Sequence, residues 1–370
     1  MSSLKRAPTT SSAAKRRRIT LGSDFTGLNT TGLALKDLCS VAGLESIHVF
    51  GCDKARVSKV LVALTDKPMI WDKDVLTRDI NRIRSKIHEL GGLDLYTGTA
   101  PCQCWSSAGK NEGVRDKVSM LFVYLIAGVE KLQPKIFIME NVATLARREK
   151  YRSFFNWLLS RLRSLGYHVE YKVLDSSLFV PQHRERLYIV GIRCDVKRQR
   201  TRGVPLFPLD TESPRRPTLA SIIKTLPATE FKTCPLEIEE PMEHKNVMKA
   251  YKECNVNPFT FPVVIDAKSS EGFSSWQKGI CPTLTKTRSA GFGYWASTKG
   301  GYLDLDEMAA LQGFAPAHLP WKGTGLSASA VAGALGNGQT LPLVRALLPH
   351  VLFHACLIDF ETYNVMKSLA

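Results

Sequence analysis

The sequence predicts an α/β fold: a doubly wound sheet carrying a small irregular second region. Three observations predict it. Short apolar runs alternate with stretches of helical periodicity over residues 19–195. A loop with two glycines directly follows the first run. Residues 196–290 then lose the periodicity and become rich in Pro, Lys, Arg, Glu and Thr, and helical patterning returns over 303–350. Alternation of this kind builds a parallel sheet covered on both faces.

The elements follow in order. Residues 1–18 contain Ser, Thr, Ala, Lys and Arg without apolar periodicity and read as a disordered basic tail. Ile19 to Ser23 fits a short strand, Phe25 to Gly32 a loop, and Leu33 to Val41 a helix. Ile47 to Cys52 is a second apolar run, followed by a helical stretch to about Leu64. Ile80, Ile83, Ile87 and Leu90 share one helical face. Leu93 to Tyr96 is strand-like and ends in the loop Thr97 to Cys104. Met120 to Leu132 is helical, Ile136 to Met139 a buried strand, and Tyr151 to Leu165 a helix. Val169 to Leu174 and Leu187 to Ile192 complete the sheet. The domain boundaries read as a tail (1–18), an α/β domain whose strand ends would form the site (19–195), an insertion (196–290) and a return to the first domain (291–370).

Composition bounds the function. Hydrophobic residues make up 44% and charged residues 23%, as in a globular protein. No apolar run reaches the roughly 18 residues of a membrane helix. The N-terminus lacks the apolar core of a signal peptide, so an intracellular protein is expected. The nine cysteines include no paired CxxC motifs, so neither a structural zinc nor a disulfide framework is expected. Six basic residues of the tail account for part of the net charge of +16, leaving +10 on the remainder. That excess favours a polyanionic partner. The run Lys15-Arg16-Arg17-Arg18 reads as a nuclear-import signal, a nucleic-acid-binding arm or a solvated tail.

In a doubly wound sheet ligands sit beyond the carboxyl ends of the strands. Asp24, Asp53, Asp74, Cys102 and Glu140 all follow strands, so all should face one crevice. The loop Asp24-Phe25-Thr26-Gly27-Leu28-Asn29-Thr30-Thr31-Gly32 is neither GxGxxG nor a P-loop, which disfavours NAD and nucleotide triphosphates. Asp53 suits a ribose diol and Asp74 an adenine amino group, although each also suits a helix cap. Cys102, in the loop Pro101-Cys102-Gln103-Cys104, is placed as a nucleophile or as a structural thiol. Glu140, at the end of a buried strand, would be desolvated enough to hold a proton, or would cap the next helix. Arg184 and Arg186 alternate in an extended segment and should reach the same way, toward a carbonyl, a phosphate or a neighbouring acid.

The order Pro101-Cys102-Gln103, Glu140-Asn141-Val142 and Gln182-His183-Arg184-Glu185-Arg186 resembles the cytosine-C5 methyltransferase family. With the glycine loop before it and Gly336-Asn337-Gly338 near the end, the resemblance covers about residues 19–350. It implies a Rossmann-like methyltransferase sheet and S-adenosylmethionine as cofactor. Asp24, Phe25, Thr26, Gly27, Asp53, Asp74, Pro101 and Asn337 would contact that cofactor. It implies Cys102 as the nucleophile on cytosine C6 and Glu140 as the group holding a proton at N3. Arg186, supported by Arg184, would bind the cytosine carbonyl. Water would remove the C5 proton. The insertion matches the family's target-recognition region, with Lys268, Trp276, Lys286 and Arg288 as candidate DNA contacts. The target base would be flipped out of duplex DNA, and the protein would act as a monomer. The basic tail points to a nucleus, and a bacterial or viral protein would be cytoplasmic.

Some positions depart from the family. Phe50-Gly51-Cys52-Asp53 lacks the usual glutamate after the second strand, Leu303 to Phe314 lacks the usual arginines, and Gly338 stands where alanine is usual. Two other functions fit the resemblance: methylation of cytosine in transfer RNA, and a catalytically silent DNA-binding relative. Ala100 before Pro101 and the absence of a Cys-Phe-Thr signature favour DNA over RNA.

Overall fold

The computed structural model describes residues 17–101, 105, 120–196, 203–208, 216–224, 238, 240–270 and 272–369. Of the tail expected over 1–18, residues 1–16 lie outside them, as do Cys102, Gln103 and Cys104, while Arg18 already opens the first strand.

The first half alternates strands and helices: β1 (Arg18–Asp24), α1 (Thr30–Val41), β2 (Glu45–Cys52), α2 (Arg56–Thr65), β3 (Ile70–Asp72), α3 (Ile80–Glu89), β4 (Leu95–Gly98), α4 (Leu121–Leu132) and β5 (Ile136–Val142). The short α5 (Thr144–Arg147), α6 (Arg152–Ser164), β6 (Tyr167–Asp175) and β7 (Glu185–Arg193) follow. These strands form a seven-stranded sheet in the order β3-β2-β1-β4-β5-β7-β6. β7 runs antiparallel to both of its neighbours, and every other pairing is parallel. The central strands β1, β4, β5 and β7 are largely buried on both faces, which is why they read in sequence as apolar runs rather than alternations, whereas the edge strand β6 exposes His168, Glu170 and Tyr171.

Two cores flank the sheet. Leu33, Leu35 and Leu38 of α1 pack on one face, together with the C-terminal helices α10 (Leu305–Leu311), α11 (Ala328–Asn337), α12 (Leu341–His354) and α13 (Phe360–Leu369). Ile83 and Ile87 of α3, with α4 and α6, cover the other face. The C-terminal return to the first domain is therefore one of its two helical layers.

The second region is more regular than its sequence suggests. Beyond the short α7 (Leu219–Ile222), α8 (Pro241–Glu253) packs on a four-stranded antiparallel sheet in the order β11-β10-β8-β9. Its strands are β8 (Val263–Asp266), β9 (Trp276–Lys278), β10 (Tyr294–Ala296) and β11 (Gly301–Tyr302), with α9 (Lys286–Ala290) between β9 and β10. Val247, Ala250, Val263, Ile265 and Trp295 make it a core of its own. Pairing of β10 with β8 carries this unit past residue 290, to Tyr302. Strands of two to four residues are too short to show a period, and β3 went unpredicted for the same reason.

Helix α9 joins the two regions by packing against α11. A Cβ on Gly336 would overlap the Thr285 carbonyl at this contact. The neighbour is backbone and cannot rotate away. Gly336→Ala is therefore expected to destabilise the protein by about 1–3 kcal/mol, measured as a shift of the urea midpoint at unchanged slope.

Candidate active site

A cavity of about 570 Å³ opens at the carboxyl ends of β1, β2, β4 and β5. Asp24, Asp53, Asp74 and Glu140 all line it, as the strand order requires. So do Phe25, Thr26, Gly27, Pro101, Arg184, Arg186 and Asn337. The convergence expected of the strand-end residues is met for every member that the structure describes. Cys102 lies outside the described residues.

The glycine loop between β1 and α1 holds three left-handed residues: Phe25 (φ 53°), Gly27 (φ 55°) and Asn29 (φ 55°). For a bulky residue such as Phe25 this costs on the order of 1–3 kcal/mol. Neighbouring elements hold it there. Thr99 Oγ1 donates to the Phe25 carbonyl at 2.6 Å. Thr26 N donates to the Cys52 carbonyl at 3.0 Å, and its hydroxyl accepts from Cys52 N at 2.9 Å. The Thr26 side chain thus clamps the loop to β2.

Asp53 takes part in the same clamp. One carboxylate oxygen accepts from Gly27 N and the other from Ala55 N, each at 2.8 Å. Asp74 accepts from Leu76 N at 3.0 Å and pairs with Lys54 at 2.9 Å. Asp24 is fully buried. Its Oδ2 pairs with Arg78 and accepts from the Tyr96 hydroxyl at 2.5 Å. Burial raises its carboxyl above the ordinary range, against the pull of Arg78 and Tyr96. Among the described residues, Asp24 Oδ1 is buried without a hydrogen-bond partner. Sequence reasoning missed Arg78 and Tyr96, because neither is near Asp24 in the chain.

Glu140, on β5, faces Arg186, on β7. Arg186 Nε lies 3.1 Å from Glu140 Oε1. In the ladder between these strands Glu140 pairs with Tyr188 and Val142 with Arg186. Burial raises the Glu140 carboxyl above its ordinary value, and Arg186 and Arg184 partly offset the rise. The site therefore holds a carboxyl raised above its ordinary value beside a guanidinium.

The two loops flanking Cys102 are tied to the Glu140 loop. Asn141 Nδ2 donates to the Ala100 carbonyl at 3.1 Å. Thr144 Oγ1 donates to the Trp105 carbonyl at 2.6 Å. Trp105 itself is buried and stacks on Phe154, with their rings 4.6 Å apart. Both flanks of the cysteine loop are thus anchored next to Glu140.

Arg184 departs from expectation. It precedes β7, and although both arginines line the cavity it bonds backbone carbonyls where Arg186 pairs with Glu140. It is 1% exposed. It donates to the carbonyls of Leu284 (2.7 Å), Gly336 (3.3 Å) and Gly338 (2.6 Å). Any support it gives Arg186 runs through the backbone it ties together. Gly336 and Asn337 form the end of α11 rather than a free turn, so Arg184 also meets the negative end of that helix. Of the four residues picked for nucleic-acid contact, Lys286 alone lines the cavity. Arg288 pairs with Asp266, Lys268 Nζ donates to the Gly291 carbonyl, and Trp276 packs against the core of the second region.

Gly51 occupies the position of the missing glutamate. A Cβ there would lie 3.0 Å from the ring of Trp71 on β3. The indole therefore occupies the space beside this position. Among the described residues no three His, Cys, Asp or Glu side chains cluster as a metal site. No helix among them is long and apolar enough to cross a membrane.

Comparison with known proteins adds relatives to this geometry. The model of the family described as C-5 cytosine-specific DNA methylase matches residues 69–350. The Type II methylase M.HgiEI of Herpetosiphon aurantiacus is 34% identical over 251 residues, covering 64% of this chain and 56% of that protein. The orphan methyltransferase M.SPRI of Bacillus phage SPR is 33% identical over 173 residues, covering 46% of this chain and 37% of that protein. The chain thus spans about half or less of the length of these relatives. Among solved structures, Entamoeba histolytica EhMeth superposes with a TM-score of 0.58 at 14% identity, covering 91% of this chain and 98% of that one. Dnmt2 of S. pombe superposes with a TM-score of 0.55 at 13% identity, covering 90% and 98%. At such low identity these two establish a shared fold.

Proposed function

Because the chain belongs to the C-5 cytosine-specific DNA methylase family, we propose that it transfers a methyl group from S-adenosylmethionine to C5 of cytosine in DNA. The observation that carries this reading is the largely buried pair of Glu140 and Arg186, set beside the anchored flanks of the Cys102 loop.

Cytosine C5 is too weak a nucleophile to take a methyl group unaided. In the proposed reaction the Cys102 thiolate bonds to C6 while Glu140 delivers a proton to N3, which leaves C5 electron-rich. Arg186 orients the ring through its carbonyl oxygen. C5 takes the methyl group, a water removes the C5 proton, and the C6–S bond breaks to return the thiolate. Glu140 takes back the N3 proton. The base must leave the duplex for these groups to reach it.

The cavity fits the cofactor chemically. S-adenosylmethionine supplies a methyl group on a positively charged sulfur when bound. Four carboxyl-bearing residues line the cavity, one with a buried oxygen that lacks a partner, and they suit a ligand bearing an ammonium and a sulfonium centre. Phe25, Thr26, Gly27, Pro101 and Asn337 would complete the contacts. Asp53 would offer the ribose its remaining lone pairs, and Asp74 would lie toward the adenine.

DNA is favoured over RNA by the family and by the type II relatives. The type II relative from a bacterium and the orphan methyltransferase from a phage give no support to a nuclear location. The basic run before Arg18 would serve as a nucleic-acid arm. The test is incubation with radiolabelled S-adenosylmethionine and, separately, duplex DNA and transfer RNA. Label at cytosine C5 of DNA is expected. Label in RNA alone would keep the mechanism and change the substrate. No transfer to either, with no cofactor binding, would leave a silent DNA-binding relative.

A further inference from the structure

Beneath the glycine loop lies a chain of buried and half-buried polar groups that none of these steps uses. Asp66, directly after α2, accepts from Asn29 Nδ2 at 2.7 Å and faces His48 Nδ1 at 3.1 Å. His48 Nδ1 also lies 3.0 Å from the Asp66 carbonyl, and its Nε2 lies 3.1 Å from Ser23 Oγ. Ser23 Oγ is 2.9 Å from Thr26 Oγ1, which accepts from the Cys52 amide. Ser23, Thr26, Asn29 and His48 are all buried.

The direction of these bonds can be assigned. Both Asp66 oxygens facing the ring only accept, so Nδ1 carries a proton. In the neutral ring Nε2 then accepts from the Ser23 hydroxyl, and Ser23 accepts from Thr26. With the neutral ring, the hydroxyls and the imidazole form a path from the Cys52 amide to Asp66, and the Thr26 hydroxyl also lies 3.2 Å from the Ser23 and Cys52 carbonyls. Burial alone would raise the Asp66 carboxyl, but His48, Asn29 and Lys36 hold it below its ordinary value.

Serine, histidine and aspartate in this order resemble a hydrolytic triad. Ser23, however, is 2% exposed, lies under the loop and does not line the cavity. No substrate can reach it. What the chain does touch is the loop, at Thr26 and at the left-handed Asn29. Gly32 supports this assignment independently. A Cβ there would overlap both Asn29 Nδ2 and Asp66 Oδ2. The glycine at the first turn of α1 leaves room for the Asn29–Asp66 bond beneath it.

We infer that Asp66 and His48 are positioning residues for the cofactor loop, holding Ser23, Thr26 and Asn29 so that the loop keeps its left-handed turns. The inference rests on the reading of this loop as the S-adenosylmethionine site. The test uses Asp66→Ala, Gly32→Ala and the conservative Asp66→Asn, whose amide oxygen can still accept from His48. His48→Gln serves if Asp66→Ala does not fold.

Two readouts are taken. One is the KM for S-adenosylmethionine against kcat, with the Kd of S-adenosylhomocysteine by calorimetry. The other is amide hydrogen exchange over residues 24–32 in the free protein. Disruption of the network is expected to raise KM and Kd by about tenfold and change kcat by less than about twofold. Exchange over 24–32 should quicken, and Asp66→Asn should recover most of both effects. Unchanged exchange over the loop would overturn the inference. So would a lower Tm accompanied by unaltered Kd, the signature of a purely structural pair. If the unaltered protein binds no S-adenosylhomocysteine while the variants still loosen the loop, the cofactor reading fails and the positioning role stands.

Discussion

Glu140→Gln is expected to lower kcat by about 10²–10⁴, with the Kd for DNA and cofactor nearly unchanged. Glutamine keeps the shape and can still accept from Arg186, but it cannot deliver a proton to N3. Cys102→Ala, which removes the nucleophile itself, is expected to abolish transfer. Single-turnover kinetics on duplex DNA would check both. A glutamine variant close to the parent in rate would remove Glu140 from the proton step. The pH dependence gives a second check. Because burial raises the Glu140 carboxyl, with Arg186 and Arg184 opposing, the active protonated form is lost as pH climbs through the folded-state pKa. Activity should therefore fall on the alkaline side of that value. Arg186→Ala removes an opposing charge, so this limb should move to higher pH. The sign for stability follows from linkage. The folded protein holds this proton more tightly than the unfolded chain. The contribution is complete below the unfolded pKa of glutamate, and is lost as pH rises from there through the folded value.

Arg184→Met is expected to cost about 3–5 kcal/mol of folding free energy, since each buried carbonyl left without its donor costs about 1–3 kcal/mol. Methionine fills much of the space but donates nothing to Leu284, Gly336 and Gly338. It also removes a cation from the C-terminus of α11. Denaturant unfolding measures the loss. A fall below about 1 kcal/mol would show that water or neighbouring donors satisfy these carbonyls. Because α9 and the end of α11 both border the cavity, part of the loss should appear as weaker cofactor binding in whatever fraction remains folded.

How much of this was legible in the sequence depended on distance along the chain. Asp24, Asp53, Asp74 and Glu140 could be placed because each directly follows an apolar run, and a doubly wound sheet sends all such ends to one side. The split between Arg184 and Arg186 was not legible. Period-two alternation applies within a strand, and Arg184 lies just before β7 begins. Arg78, Tyr96 and Asp66 gave no signal because their partners are 18–72 residues away. His48 did leave one: an ionisable residue inside the apolar run from Ile47 to Cys52 must find a buried partner. The second sheet was hidden because its strands are shorter than any detectable period.

The ladder between β5 and β7 has a consequence for how such a chain can change over time. Glu140 and Arg186 are held together by strand register, not by the long excursion through α6 and β6 that separates them in sequence. Insertions and deletions in the connections of that excursion can accumulate at little cost to the reaction. A single residue gained or lost within either strand would turn one of the two side chains to the opposite face of the sheet. Tolerance to length change should therefore drop abruptly at the ends of β5 and β7, and a library of insertions across residues 136–193 would map that edge residue by residue.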